Sequence, residues 1–350
     1  MEFGSLLDHP EKQQVTSTSE SPEVTQALPD VQPPQAGFLV QLFLIPMVIV
    51  AAIICVWLLF NVISQSESPT ELVRGLRKMD SSSWQKAYTL SNLLRTPNSK
   101  ELKNDPELAA ELVSILDSPL DVEVADPNLV KLRVFVCRCL GEFEIPEGMN
   151  ALISAMKKTD TESEIEIGRS AVESLSILIQ NLGPESQRDN KELLAALIET
   201  SNVQAQNPEL QIKIDQLRST IGFALGVLGG EEALIRLQGM LSDSFPNARF
   251  NAAAGLARHG DMSGKNVLLE MLDAESESVV AGEAYESSHD FKRSVVAATA
   301  IDAVSALSKY HETSELLELI PSIKAAAESD VFGGKAKALA KELLVSIKES

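Results

Sequence analysis

The sequence predicts an all-α chain, a single transmembrane helix followed by an alpha-alpha superhelix of about seven stacked helix pairs. Three observations predict it. One apolar run near the N-terminus is long and uncharged. Beyond Ser64 the apolar residues fall three and four apart, with no run of period two. A helix-turn-helix pattern then recurs at an interval of roughly 20–50 residues, the mark of a stacked array.

Residues 1–37 are read as a disordered acidic and polar tail. The stretch QQVTSTSESPEVTQALPDVQPPQ is rich in Ser, Thr, Gln, Pro and Glu, and the tail carries one lysine against six carboxylates. Such a segment cannot bury enough apolar surface to offset the entropy of ordering it. The transmembrane helix, 38–63, follows. No charged side chain lies between Val31 and Ser66, and FLVQLFLIPMVIVAAIICVWLLFNVI is apolar except for Gln41 and Asn61. About 26 residues at ~1.5 Å each exceed the ~30 Å hydrocarbon core, so the helix spans it with some tilt. Pro46 can kink its first third, and Trp57 and Phe60 suit the headgroup boundary at its C-terminal end. A cleaved secretory signal is excluded by the long acidic leader and the long core. A lipoprotein cysteine at Cys55 is excluded by the bulky Ile54 before it. No Lys or Arg occurs in the twenty residues before Phe38, whereas Arg74, Arg77 and Lys78 follow the exit, with Glu67 and Glu71 among them. Because positive charge is retained inside, the tail is expected outside and the C-terminal part in the cytoplasm.

Residues 64–70 form a linker, and 71–350 the repeat domain. First helices are expected near residues 71, 107, 148, 190, 231, 263 and 313, and second helices near 84, 129, 164, 208, 247, 291 and 334. The clearest unit is EEALIRLQGMLSDSFPNARFNAAAGLARHGD, Glu231 to Asp261, whose turn holds Asp243 and Pro246 and whose second helix opens near Arg249. Arg218, thirty-one residues upstream, heads the matching helix RSTIGFALGVLGG. Arg133 heads RVFVCRCLGEF after Asp126 and Pro127, and Arg169 and Arg293 begin weaker copies. Three residues after each arginine stands an apolar residue (Val136, Val172, Ile221, Ala252, Val296), and six after it a mostly small one (Cys139, Leu175, Ala224, Gly255, Thr299). Small side chains let helices approach closely while the apolar ones fill the space between layers. A lone unit would leave an apolar face in water, so the units must stack. The last pair, with Lys335, Lys337, Lys341 and Lys348, supplies the polar face of a terminal cap.

This run, from EEALIRLQGML through Asp, Pro and Arg into NAAAGLARHGD, resembles a HEAT repeat, of the short HEAT-like kind associated with phycobilin lyases, over about Thr70 to Ile347. The resemblance implies a HEAT-like solenoid in which a turn Asp and the Arg heading the second helix form a ladder between repeats. Asp243 with Arg249 would have that role, and Arg133, Arg218 and Arg293 similar ones. Arg169 departs from the pattern, being followed by Glu173 and Ser176. The resemblance also offers an activity, the handling of a bilin chromophore.

The remaining residues exclude more than they assign. A net charge of −20 with no basic stripe argues against a nucleic-acid partner. Cys137 and Cys139 are two apart on a helix, where side chains diverge, so an internal disulfide is not expected and a reducing compartment is favoured. They occupy small-residue packing positions, with no further ligands for zinc. His259, His289 and His311 lie at no metal or catalytic spacing, and His9 lies in the tail. Gly226, Gly229 and Gly230 end a helix, and Gly333 with Gly334 marks the last turn; neither group belongs to a phosphate loop. No catalytic set, cofactor or metal site is read. Two places remain for function. One is the acidic insertion DAESESVVAGEAYESSHD, Asp273 to Asp290. It is read first as solvated and silent, and otherwise as a partner-binding loop through Tyr285 and His289. The other is the concave surface of the second helices. The expected role is a membrane-anchored scaffold that holds the bilayer through 38–63 and a protein partner through the repeats. The alternatives are a chromophore-handling enzyme, or an assembly factor acting through the transmembrane helix with Ala51 and Cys55 as a small-residue face.

Overall fold

The computed structural model describes residues 36–64, 69–119 and 126–349. The expected tail therefore lies outside the described residues, apart from its last two, as do linker residues 65–68. The chain divides into two compact units, Met1–Ser66 and Glu67–Ser350.

The first unit holds helix α1 (Ala36–Ser64). Within it Val40–Leu59, 20 residues, is long and apolar enough to cross a membrane. Its side chains from Val40 to Leu59 stand open, among them Phe43, Met47 and Trp57. Pro46 is accommodated inside the helix.

The second unit is a superhelical array of seven helix pairs, and no strand occurs among its described residues. The first pair is α2 (Pro69–Leu76) and α3 (Ser83–Leu94); a single turn, α4 (Lys100–Lys103), leads to α5 (Pro106–Leu116) and α6 (Pro127–Gly141). Next come α7 (Met149–Met156) with α8 (Glu162–Leu182), the one-turn α9 (Pro184–Gln187), and α10 (Lys191–Thr200) with α11 (Gln211–Leu228). The array continues with α12 (Glu231–Met240) and α13 (Pro246–Arg258), then α14 (Lys265–Leu272), the one-turn α15 (Glu277–Val280) and α16 (His289–Leu307). It ends with α17 (Ile320–Glu328) and α18 (Gly334–Glu349). Each second helix packs on the second helix before and after it, from α3 through α6, α8, α11, α13 and α16 to α18. First helices form the other layer. The seven pairs open close to the expected positions, with one shift: the first helix expected near 313 begins at Ile320, because residues 308–319 form turns.

Local chemistry starts these helices where the sequence changes character. Pro106, Pro127 and Pro246 stand at first helical positions, where the missing N–H is not needed and φ is already helical. Asp105 caps α5 by accepting from the N–H groups of Glu107 and Leu108 at 2.9 and 3.1 Å. Thr161 and Glu164 form a reciprocal capping box on α8. Gly229 and Gly230, at φ 67° and 86°, end α11 in backbone conformations that a Cβ would strain.

The core lies between the two layers in two clusters that meet at α13. Ala248, Ala252 and Leu256 complete the larger cluster toward α11 and α12, and Phe250, Ala253 and Ala257 open the smaller one toward α14 and α16. The tightest crossing joins α11 to α13, where a Cβ on Gly226 would stand 2.7 Å from the Cα of Gly255 and one on Gly255 2.9 Å from the Cα of Gly226. Backbone opposes backbone there, so no side chain can swing aside. We predict that Gly226→Ala or Gly255→Ala destabilises the array by about 1–3 kcal/mol, the usual cost of overpacking. A thermal melt followed by helix content checks this, and an unchanged midpoint would show that the two helices can separate freely.

Candidate functional site

The arginines expected to head the second helices lie inside them, at the fourth to eighth helical position, because the helices begin before them, and they do two kinds of work. Arg218, 4% exposed, donates from Nε and Nη2 to both carboxylate oxygens of Asp243 at 3.1 and 2.9 Å. Its Nη1 approaches Asp215 Oδ1 to 2.8 Å as an ion pair lying off the hydrogen-bond axis. Asp243 belongs to the turn of the following repeat, so the bidentate pair crosses between repeats. Burial pushes the Asp243 carboxyl up, but the Arg218 hydrogen bonds, the Phe245 N–H and the charges of Arg218 and Arg236 outweigh it and hold the carboxyl below its ordinary value. Arg249 does not meet the Asp243 carboxylate. Its Nη1 donates to the Asp243 carbonyl at 2.9 Å and its Nη2 pairs with Glu270 of the next first helix at 2.6 Å. The carboxylate is already filled by Arg218, and Arg249 is left to carry the ladder one repeat further.

The other expected ladder residues are placed differently. Arg133 is 2% exposed and donates through Nη2 to the Ser118 carbonyl and hydroxyl at 3.0 and 3.1 Å, while Asp126 caps α6 through the Asn128 N–H at 2.9 Å. Arg293 pairs with Glu277 of α15 at 3.2 Å, inside its own repeat. Arg169 joins no turn: it points along the second-helix layer to Gln216 at 3.0 Å and lies 3.9 Å from Glu173. Its α8 neighbours Ser170, Ser174 and Ser176 are the buried small residues of this repeat instead.

A second ladder, which sequence reading missed, ties the C-terminal ends of successive second helices. Asn181 donates to the carbonyls of Gly141 and Phe143, both at 3.1 Å. His259 Nε2 donates to the Gly226 carbonyl at 2.9 Å, and His311 Nε2 to the Gly260 carbonyl at 2.7 Å. Facing only a carbonyl, each Nε2 must carry the proton. The two rings differ in surroundings. Burial lowers the His259 pKa, and the nearby Arg188 and Arg258 lower it further against the pull of the Gly226 carbonyl. The carbonyl of Gly260 and then Glu315 raise that of His311.

The insertion is docked rather than free. Val279 and Val280 of α15 are buried, and Lys292 reaches back to the Ala281 carbonyl at 3.2 Å and to Glu283 at 3.1 Å. Tyr285 is 73% exposed and makes no side-chain hydrogen bond, while His289 opens α16, and no hydrogen bond joins the two among the described residues. Cys137 and Cys139 are fully buried, and burial pushes the Cys137 thiol up to about 12 and the Cys139 thiol up as well, which leaves both unreactive. Among the described residues no three His, Cys, Asp or Glu side chains converge as metal ligands.

The outward face of the second-helix layer holds the aromatic cluster of the array, in a chain with only 5% aromatic residues. Lys131, Phe135 and Arg138 fall on one stripe of α6 by their spacing of four and three. Phe135 stacks on Trp84 of α3 with centroids 6.2 Å apart and meets the edge of Tyr88 at 5.3 Å. Lys131 lies over Trp84 at 5.4 Å and Arg138 over Phe135 at 5.0 Å. Farther along, Arg258 of α13 covers Phe223 of α11 at 5.7 Å. Tyr88 is 50% and Phe223 39% exposed, and Phe291 and Val295 stand open on α16. The α6 spacing was visible in sequence. Its pairing with Trp84 required the register between two repeats.

Such a layered stack of antiparallel helix pairs defines a helical repeat protein. The family model for HEAT repeats matches residues 214–288, and the chain carries HEAT repeats there. Similar solved structures include the CpcE–CpcF complex of phycocyanin lyase from Nostoc sp. PCC7120, at 16% identity, covering 81% of this chain and 95% of that one with a TM-score of 0.45. Human deoxyhypusine hydroxylase in complex with glycerol is similar at 14% identity, covering 81% of this chain and 97% of that one with a TM-score of 0.24. No curated protein matches the sequence.

Two outcomes follow from the ladders. Replacing Asp243 with Asn leaves Arg218 buried with Asp215 alone, and should cost about 2–3 kcal/mol, below the full penalty for breaking a buried pair. Because the folded Asp243 pKa is depressed, its contribution is complete above the ordinary carboxylate value of 3.8 and is lost as pH falls through the folded pKa. Acid unfolding of the variant should therefore show less dependence on pH in that range; equal acid profiles would remove the ladder's electrostatic role. In proton NMR titration the His259 ring should titrate below 6.5 and the His311 ring above it, and the reverse order would contradict the helix-end geometry.

Proposed function

We propose that this protein is a membrane-anchored scaffold whose repeat domain binds another protein through the outward face of its second helices, without performing a reaction. The observation that carries the reading is the pair of exposed aromatic rings Tyr88 and Phe223, Tyr88 standing beside Trp84 and Phe135, which are partly buried against the core. Stacked repeats bury aromatic residues between layers, and large apolar side chains left open on a helical face, as Tyr88 and Phe223 are, mark interaction sites. Asn181 of α8, bonded to the carbonyls of Gly141 and Phe143, and Arg95, paired with Glu142, tie the α3–α6 part of this face to its neighbours, as a recognition surface requires.

In this reading residues 1–37 are a polar tail, 38–63 the anchor, 64–70 the linker and 71–350 the binding domain. The uncharged run of α1 and its open apolar side chains support the anchor. Arg74, Arg77 and Lys78 support a cytoplasmic repeat domain. Tyr285 and His289 lie on an insertion held by buried valines, which this reading takes as solvated and functionally silent.

Crosslinking and mass spectrometry of the intact protein in its native membrane should yield reproducible crosslinks from α3, α6 and α11 to one partner. Crosslinks confined to other faces, or none under gentle detergent, would overturn the assignment. A reporter fused after Ser350 should be active only in the cytoplasm. Activity outside would reverse the orientation.

A further inference from the structure

The α3–α6 cluster has a chemistry that identifies what it binds, and this inference rests on the scaffold reading above. Lys131 and Arg138 each lie over a ring, and neither has a carboxylate within ion-pair distance among the described residues, although the chain holds 50 Asp and Glu against 30 Lys and Arg. Six of the other eleven arginines on the array are tied to carboxylates: Arg77 to Glu111, Arg95 to Glu142, Arg169 to Glu173, Arg218 to Asp243, Arg249 to Glu270 and Arg293 to Glu277. A guanidinium lying over a ring keeps its N–H edge free to donate bidentately to a carboxylate. Beside these cations Tyr88 presents a half-open ring, and Trp84 and Phe135 fill the floor. The next second helix reverses the sign. Along α8 the exposed residues Glu162, Glu166 and Glu173 recur at helical spacing, with Glu162 engaged by Lys213 at 3.0 Å and Glu173 facing Arg169 at 3.9 Å. A long polyanion laid across the face would meet this acidic row and the net charge of −20.

We infer that the α3–α6 cluster docks a short acidic peptide motif, one or two carboxylates beside an apolar side chain, with the carboxylates on Lys131 and Arg138 and the apolar group on Tyr88 and Phe135. The cations provide the charge complement, the rings the apolar seat, and the α8 row limits how far the negative charge can extend.

The test uses the full-length chain in uncharged phosphatidylcholine nanodiscs, with Trp57→Phe so that Trp84 is the sole indole. A labelled peptide in which a leucine is flanked by glutamates should shift Trp84 emission saturably, and its lysine counterpart should not. The double variant Lys131→Glu with Arg138→Glu should weaken binding more than about tenfold, and Lys131→Gln with Arg138→Gln by less. Helix content by circular dichroism verifies that each variant is folded, and the Gln pair decides the matter if the Glu pair is not. Equal binding of both peptides, unchanged affinity in the folded variants, or a preference for phosphatidylserine vesicles over the peptide would each overturn the inference. A native-membrane crosslink that persists in the Glu pair would sink the acidic-motif assignment and leave the scaffold reading intact. Peptide binding with no native crosslink would do the opposite.

Discussion

Gly226 and Gly255 meet backbone to backbone, and the spacing of the array rests on contacts of this kind. A single helix pair has one apolar face too many, so its stability comes from the neighbour that covers it. How well the neighbour covers it depends on how closely the second helices approach. Where glycine, alanine and serine line a crossing the helices nearly touch, and the larger residues Leu237, Met240 and Leu256 fill the wedge toward the first layer. The polar ladders are consistent with this spacing. Arg218 reaches Asp243, and His259 reaches Gly226, only because consecutive second helices lie side by side.

Much of this was legible in the sequence because it is periodic. Seven pairs were readable from helical spacing, and the Asp, Pro and Arg of the turn between α12 and α13 fixed one register clearly enough to extend to the others. What was not legible is which atom meets which. The turn aspartate and the arginine six residues later look like partners in sequence. In space the arginine of the preceding repeat arrives first and occupies both carboxylate oxygens. Arg169 shares the spacing of its counterparts, yet α8 packs through the buried serines Ser170, Ser174 and Ser176, and its arginine faces Gln216 along the layer instead of the turn.

The candidate site was less legible still. Lys131, Phe135 and Arg138 announce one stripe of a helix, but a stripe becomes a surface only when the next helix supplies its other half. Trp84 and Tyr88 come from a repeat some fifty residues earlier, and their alignment with Phe135 is a product of stacking that no local pattern encodes. The second-helix ends show the same limit. Asn181, His259 and His311 follow no common spacing and are not all one residue type, yet each ties the end of its second helix to the one before it.

The double duty of α13 sets a boundary on how the molecule can be divided. Its Ala248, Ala252 and Leu256 close one core cluster while its Phe250, Ala253 and Ala257 open the other. A cut before this helix strips the last wall from the N-terminal repeats; a cut after it leaves Phe250, Ala253 and Ala257 facing water. Neither fragment would be a smaller copy of the parent, and the five N-terminal pairs and the two C-terminal ones are joined through a wall that belongs to both.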